Sequence, residues 1–271
     1  MAVRYPLKDT VDEVIYETPL VTVGRFRCPI GHHLFEDSGP VSHHCFVFPR
    51  EPVYIHHEAS SEFLADPSVV TFYNQGARFR RRRLSPQGDR GEWFGLAPRV
   101  FAGHSEPFRF YHRPSSLGAY ALQRKLVEAI ESDGGVDDLL VEETVLRLLD
   151  QLSSPGAAPP QPVTGAEVAA AAREILALRF RDCFSLETLA AAVGVSVFRL
   201  CRDMKRHTGM TLHGYRTQLR LRAALEPLSQ PKADLLQIAL DLGFSTHSHF
   251  TESFRRAYGM PPSAFRAARI R

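Results

Sequence analysis

The sequence predicts an α+β chain in two parts. An N-terminal β-barrel is followed by a helical hairpin, and then by an all-α part built on two helix–turn–helix units. Three observations carry this. Short runs that alternate apolar and polar residues fill residues 12–113. A proline-rich stretch at 153–164 separates them from a region with no strand signal. Within that region one three-part pattern occurs twice, 49 residues apart. With 271 residues, 44% of them hydrophobic, the chain is long enough to bury two cores. No apolar run reaches the roughly 18 residues that span a bilayer. Lys8, Asp9, Asp12 and Glu13 interrupt the start, where a secretory signal needs an apolar stretch. A cytoplasmic location without a membrane partner is therefore expected. Cys28, Cys45, Cys183 and Cys201 have no C-x-x-C spacing and read as free thiols.

The strand-like runs are residues 21–26, 44–48, 53–56, 69–73 and 78–84, many bounded by Pro, Gly, Asn or Asp, as in a small sandwich or barrel. The last contains Arg80, Arg81, Arg82 and Arg83. These read either as a charged edge strand that deters strand-to-strand aggregation, or as a source of one or two inward arginines for an anionic effector. Three pairs, His32-His33, His43-His44 and His56-His57, lie near Cys28 and Cys45. On a strand only one member of a pair can face inward. They read as packing or surface histidines, with a transition-metal site as the sharper alternative. Residues 115–131 read as a helix with Leu117, Tyr120, Leu126, Val127 and Ile130 apolar, broken by Gly134-Gly135. A second helix at 136–152 carries Leu139, Leu140, Val145, Leu146, Leu148, Leu149 and Leu152. That stripe is too wide for one neighbour. It packs on the barrel and its hairpin mate, or part of it meets a second copy. Residues 153–164, with four prolines, read as a semi-rigid linker.

Beyond the linker every period is helical. A first helix at 167–180 has Val168, Ala172, Ile175 and Leu176 on one face. Ser185 caps the next. The repeated pattern then begins: Leu189-Ala190, Val193-Gly194-Val195, Ser196 as a cap, and an amphipathic run at 197–207. It returns as Ile238-Ala239, Leu242-Gly243-Phe244, Ser245-Thr246 and a run at 247–258. The alanine permits close helix approach and the glycine a positive φ, which together describe a helix–turn–helix. A long helix through Leu228 joins the two, with Leu212, Tyr215, Leu219 and Ala223 inward and Pro227 ending or kinking it. Residues 163–271 hold 16 Lys/Arg against 9 Asp/Glu, whereas residues 1–162 hold 17 against 21. A basic helical domain behind an acidic one points to a polyanion. On the first amphipathic run Leu200 and Met204 point inward, leaving Arg199, Arg202, Lys205 and Arg206 outside for phosphate and guanine contacts. On the second, Phe250 and Phe254 are the anchors, flanked by Arg255 and Arg256.

The segment Ile238-Ala-Leu-Asp-Leu-Gly-Phe244-Ser-Thr-His-Ser-His-Phe250-Thr-Glu-Ser-Phe254-Arg-Arg-Ala-Tyr-Gly259-Met-Pro-Pro262-Ser-Ala-Phe265-Arg266 resembles the AraC/XylS family of bacterial transcription regulators, and the resemblance extends over roughly residues 165–271. It implies two helix–turn–helix units on a long helix, binding double-stranded DNA. Carried over, it implies base-facing positions for Phe198, Cys201 and Arg202 on the first recognition helix, and for His247, Ser248 and Glu252 on the second. Arg199, Arg206, Thr251, Arg255 and Arg256 complete the candidate DNA-facing set. Two residues depart from the family pattern. Asp203 replaces an apolar residue, and either points to solvent or pairs with a nearby arginine. Glu252 is repelled by phosphate unless it accepts from cytosine N4.

Residues 1–113 look like the cupin-type barrel of such regulators. The likeness rests on Phe26-Arg-Cys-Pro29, Val47-Phe-Pro-Arg50, Asp66-Pro67, Phe72-Tyr-Asn74, Gly88-Asp89 and Trp93-Phe94. The expected organisation is a cupin-like sensing domain at 1–113, a helical hairpin at 114–152 that offers a dimerisation surface, a linker at 153–164 and an AraC-type DNA-binding domain at 165–271. The leading reading is a regulator that responds to an effector through its barrel. DNA, a small-molecule effector, RNA polymerase and a second copy of the chain are its candidate partners. It has no catalytic residue, cofactor or metal. The runner-up is a metal-dependent cupin enzyme tethered to DNA, although the H-x-H…E pattern of such enzymes is missing. A third reading makes Cys201 a redox sensor, with Arg199 and Arg202 favouring its thiolate.

Overall fold

Among the described residues the alternating runs and their neighbours fold as nine antiparallel strands: β1 (Asp12–Glu17), β2 (Val21–Cys28), β3 (His44–Pro49), β4 (Val53–His57), β5 (Phe63–Ala65), β6 (Val69–Tyr73), β7 (Phe79–Arg83), β8 (Asp89–Leu96) and β9 (His112–Pro114). This computed structural model describes residues 12–58, 60–101, 105–132, 136–153, 165–230 and 233–268. The chain divides into two compact units, Met1–Ala157 and Ala158–Arg271. Most of the proline-rich stretch at 153–164 and the Gly134-Gly135 break lie outside the described residues.

In the first unit β1-β2-β8-β3-β6-β9 form one sheet and β5-β4-β7 a second. Their ladders do not close into a ring among the described residues, so the architecture is two antiparallel sheets over one core. Cys45, Val47 and Tyr73 of the large sheet meet Val53, Ile55 and Phe79 of the small one. The opposite face of β3 is also covered. Phe46 sits directly across from Phe94 on β8 with its ring stacked at 5.2 Å, and Phe48 meets Tyr120 edge-on. That two-sided cover is why all six β3 residues are buried. Tyr120 belongs to α2 (Leu117–Glu131), which follows the short α1 (His33–Glu36) and is capped by Ser116. Arg124 of α2 and Arg50 both bond Glu92 of β8, at 2.9 and 3.0 Å, tying helix to sheet. In α3 (Asp138–Ser153) Val141, Val145, Leu148 and Leu152 are buried, while Leu139 and Leu140 are exposed.

The second unit is helical throughout its described residues: α4 (Ala166–Arg179), α5 (Leu186–Val193), α6 (Val197–Thr208), α7 (Leu212–Leu228), α8 (Leu235–Asp241), α9 (His247–Tyr258) and α10 (Pro262–Ala267). No described helix is long and apolar enough to cross a membrane. The long α7 carries Pro227 in its last turn and ends one residue later. Its buried surface is broader than the expected stripe. Ala223 is only half-buried, whereas Leu221, Ala224, Leu225 and two arginines, Arg220 and Arg222, are buried.

Candidate nucleic-acid interface

Each helix–turn–helix is closed by the same local device. Gly194 and Gly243 take φ of 74° and 80°. The following residue then turns back to the first helix, Val195 N–H donating to Ala190 at 3.0 Å and Phe244 N–H to Ala239 at 2.9 Å. Ser196 accepts from the Arg199 amide and Thr246 from the His249 amide, so both second helices start on a hydroxyl cap. The inner faces are fully buried, by Leu200 and Met204 in α6 and by Phe250 and Phe254 in α9.

The outer faces hold the sequence-expected residues. On α6, Phe198 is 77% exposed, Arg199, Arg202, Lys205 and Arg206 are exposed, and Cys201 is half-buried against the core. On α9, His247, Ser248, Glu252, Arg255 and Arg256 are exposed and Thr251 half-buried. Asp203 does not point to solvent. Its side chain is 1% exposed, and its two oxygens accept from Arg202 Nε at 3.1 Å and Arg199 Nε at 3.4 Å. Burial pushes its carboxyl up, but the bonds and charges of Arg202 and then Arg199 outweigh this and hold it below its ordinary value. Glu252 is likewise engaged within its own helix, by Arg255 at 2.8 Å and Arg256 at 3.5 Å, and the Arg255 hydrogen bond holds its carboxyl down.

One residue of this framework was not legible in advance. Arg220 lies in a Leu-Arg-Leu-Arg run that reads as an ordinary amphipathic helix. Its Nε donates to the Phe180 carbonyl at 2.6 Å and its Nη2 to that of Asp182 at 3.2 Å, while its guanidinium lies 5.7 Å over the Phe244 ring. It therefore ties α7 both to the turn after α4 and to the turn of the second helix–turn–helix. Burial lowers its pKa to about 10.

In the first unit a cavity of about 280 Å³ opens between the sheets, walled by Phe26, Val47, Tyr73, Phe79, Arg81 and Trp93. Strand β7 is an edge strand, and of its four arginines Arg81 alone turns inward. Asp89, itself buried, meets that charge at 2.5 Å, and Arg81 also bonds the Leu34 carbonyl and Ser38. Two of the three histidine pairs have one buried member, whereas His32 and His33 lie at the start of α1, outside any strand. His44 and His57 are buried, while His43 stacks on Trp93 and His56 is exposed. His57 lies among Tyr73, Phe79 and Tyr111, and burial lowers its pKa to about 4. Among the described residues no three His, Cys, Asp or Glu side chains gather as a metal-binding set.

Comparison with known proteins places the second unit. A helix-turn-helix domain family matches residues 189–268. The transcriptional activator RhaS of Escherichia fergusonii is 34% identical over 90 residues, which is 33% of this chain and 32% of that protein. The transcriptional regulator MtrA of Neisseria gonorrhoeae is 28% identical over 85 residues, 31% of this chain and 28% of that protein. The chain thus spans about a third of the length of the curated relatives it matches. A solved transcriptional regulator of Chromobacterium violaceum, with an AraC-type DNA-binding domain, is 30% identical and overlaps 38% of this chain and 91% of its own, with a TM-score of 0.35. The family-matched residues 189–268 contain both glycine turns and both second helices described above, and this part of the chain is similar to the DNA-binding part of AraC-type transcription regulators.

Proposed function

We propose that this chain is a sequence-specific DNA-binding transcription regulator whose first unit senses a small molecule and pairs two copies. The observation that carries the reading is the pair of capped helices, α6 and α9, each buried on one face and basic on the other within the family-matched region. Phe198, Cys201 and Arg202 read base edges. Arg199 and Arg206 on α6, and His247, Ser248, Thr251, Arg255 and Arg256 on α9, contribute base or phosphate contacts. The inter-sheet cavity is the effector site of a cupin-like domain. Its walls are mainly apolar, and Asp89 already answers the Arg81 charge. The effector is therefore a mainly apolar or aromatic molecule, in contrast to the anion suggested by the arginine run. The exposed Leu139 and Leu140, continuing into half-buried Leu146 and Leu149, form the surface shared by two copies. Contact with RNA polymerase converts occupancy into regulation.

Selection of bound sequences from random duplex DNA by the full chain tests the core of this reading. A reproducible motif, with affinity falling steeply as salt rises, is the expected result. Failure to enrich any sequence refutes it.

A further inference from the structure

We infer that Asp203 is a specificity-determining positioning residue: its buried carboxylate grips Arg199 and Arg202 by their ε nitrogens and so presents the outer ends of both guanidinium groups to DNA as a fixed pair. The inference rests on the regulator reading above and adds to it a residue that never touches DNA.

The geometry is a fork. Oδ1 accepts from Arg202 Nε at 3.1 Å and Oδ2 from Arg199 Nε at 3.4 Å, so each oxygen serves a different arginine. Asp203 is 1% exposed, whereas the two arginine side chains are 50% and 56% exposed. Each arginine is thus rooted at its inner nitrogen and open at its outer two. A bidentate contact to guanine O6 and N7 uses two guanidinium N–H groups in one plane, and with Nε engaged the terminal Nη pair is the edge that remains. An unrestrained arginine must lose its rotamer freedom when it binds. Here part of that loss has already occurred on folding.

The carboxylate is itself held in place. It lies against Gly165, the residue before α4, where an added Cβ would stand 2.6 Å from Oδ2. Gly165 supplies no side-chain cap to α4. The partial positive charge at that helix start therefore favours the ionised carboxylate beside it. Among the described residues α9 has no such anchor: Glu252 is 48% exposed and joins two arginines on the surface.

The test uses the full chain in three forms: wild type, Asp203→Asn, which keeps the shape, and Asp203→Leu, which fills the site with an apolar group. Each is put through selection from random duplex DNA, alongside Arg199→Ala and Arg202→Ala. Both Asp203 variants should bind random-sequence duplex at least as tightly as wild type, because a negative charge has gone. They should nonetheless lose about tenfold in discrimination, within what a bidentate arginine–guanine pair supplies, at the positions whose preference the two arginine substitutions erase. Asp203 variants that keep the wild-type preferences, or weaken all duplexes equally, overturn the inference and leave the regulator reading standing. A wild type that enriches no sequence overturns both. A readout without DNA separates the two. The Nε–H protons of Arg199 and Arg202 should exchange slowly with water in wild type and fast in Asp203→Leu, and equal exchange removes the clamp whatever the DNA result. If Asp203→Asn does not fold, Asp203→Leu carries the test alone.

Discussion

The two helix–turn–helix units share one backbone solution and fill it differently. The first is packed mainly with aliphatic groups, Leu189, Leu200, Met204 and Leu212 around Tyr215. The second is an aromatic ladder, in which Phe250 meets Phe254 at 5.7 Å and Phe254 meets Phe265 at 5.3 Å and Tyr258 at 4.5 Å. Their outer faces differ in the same spirit. The acidic residue of α6 is buried and organises two arginines, while that of α9 is exposed and partly neutralises two. Backbone geometry at a turn thus leaves open both how the core is filled and how the surface charge is arranged.

Core truncation should separate the units most strongly. Phe254→Ala should cost about 3–5 kcal/mol and Met204→Ala about 2–5 kcal/mol, with the aromatic site at the higher end because the ring it removes touches three others. Urea unfolding followed by helical circular dichroism measures both. Equal losses would mean that the ladder confers nothing beyond its volume.

The turn glycines sharpen the comparison. A Cβ on Gly194 meets nothing within 4 Å, so Gly194→Ala should cost only the left-handed backbone strain, about 1–2 kcal/mol. A Cβ on Gly243 would lie 2.1 Å from the Arg181 carbonyl and 2.6 Å from Arg220 Nη2. Gly243→Ala should therefore cost clearly more, and should also loosen the Arg220 tie. Matching melting temperatures for the two variants would break this argument.

In DNA binding, Arg202→Ala should relax preference at one or two positions by roughly 1–3 kcal/mol. Arg255→Ala should weaken all sequences about equally and reduce the salt slope by about one unit. An unchanged sequence logo with Arg202→Ala would make that residue a phosphate contact and invert the assignment of the two faces.

The smallest effect is in acid. Asp203 and Glu252 titrate below their ordinary values of 3.8 and 4.5. Groups lowered in the folded state stabilise it above those ordinary values and stop doing so as pH falls through the lowered ones. Unfolding measured from pH 5 downward should lose stability in this window. Asp203→Asn should flatten the profile more than Glu252→Gln, since solvent screens the exposed pair. A flatter profile in Glu252→Gln would contradict the difference between the two carboxylates.

Much of the chain was legible because its signals are local. A glycine forced to positive φ, a hydroxyl one residue before a helix and apolar groups four apart are all set by a few neighbouring residues, and both recognition helices follow from them. Strands β1, β5, β8 and β9 carried weaker signals. Strand β8 contains Gly91, Gly95, Asp89 and Glu92, and becomes a strand because β2 and β3 flank it on both sides. Only the tertiary fold decided which arginine of β7 turns toward Asp89, that Arg220 spans two turns, and that Asp203 lies inside with its charge shared. Each of these is a charged group whose burial depends on a partner in another element, or on a helix start that folding brings to it. Periodicity places such a group on a face, and the energy of removing it from water is decided by what stands opposite.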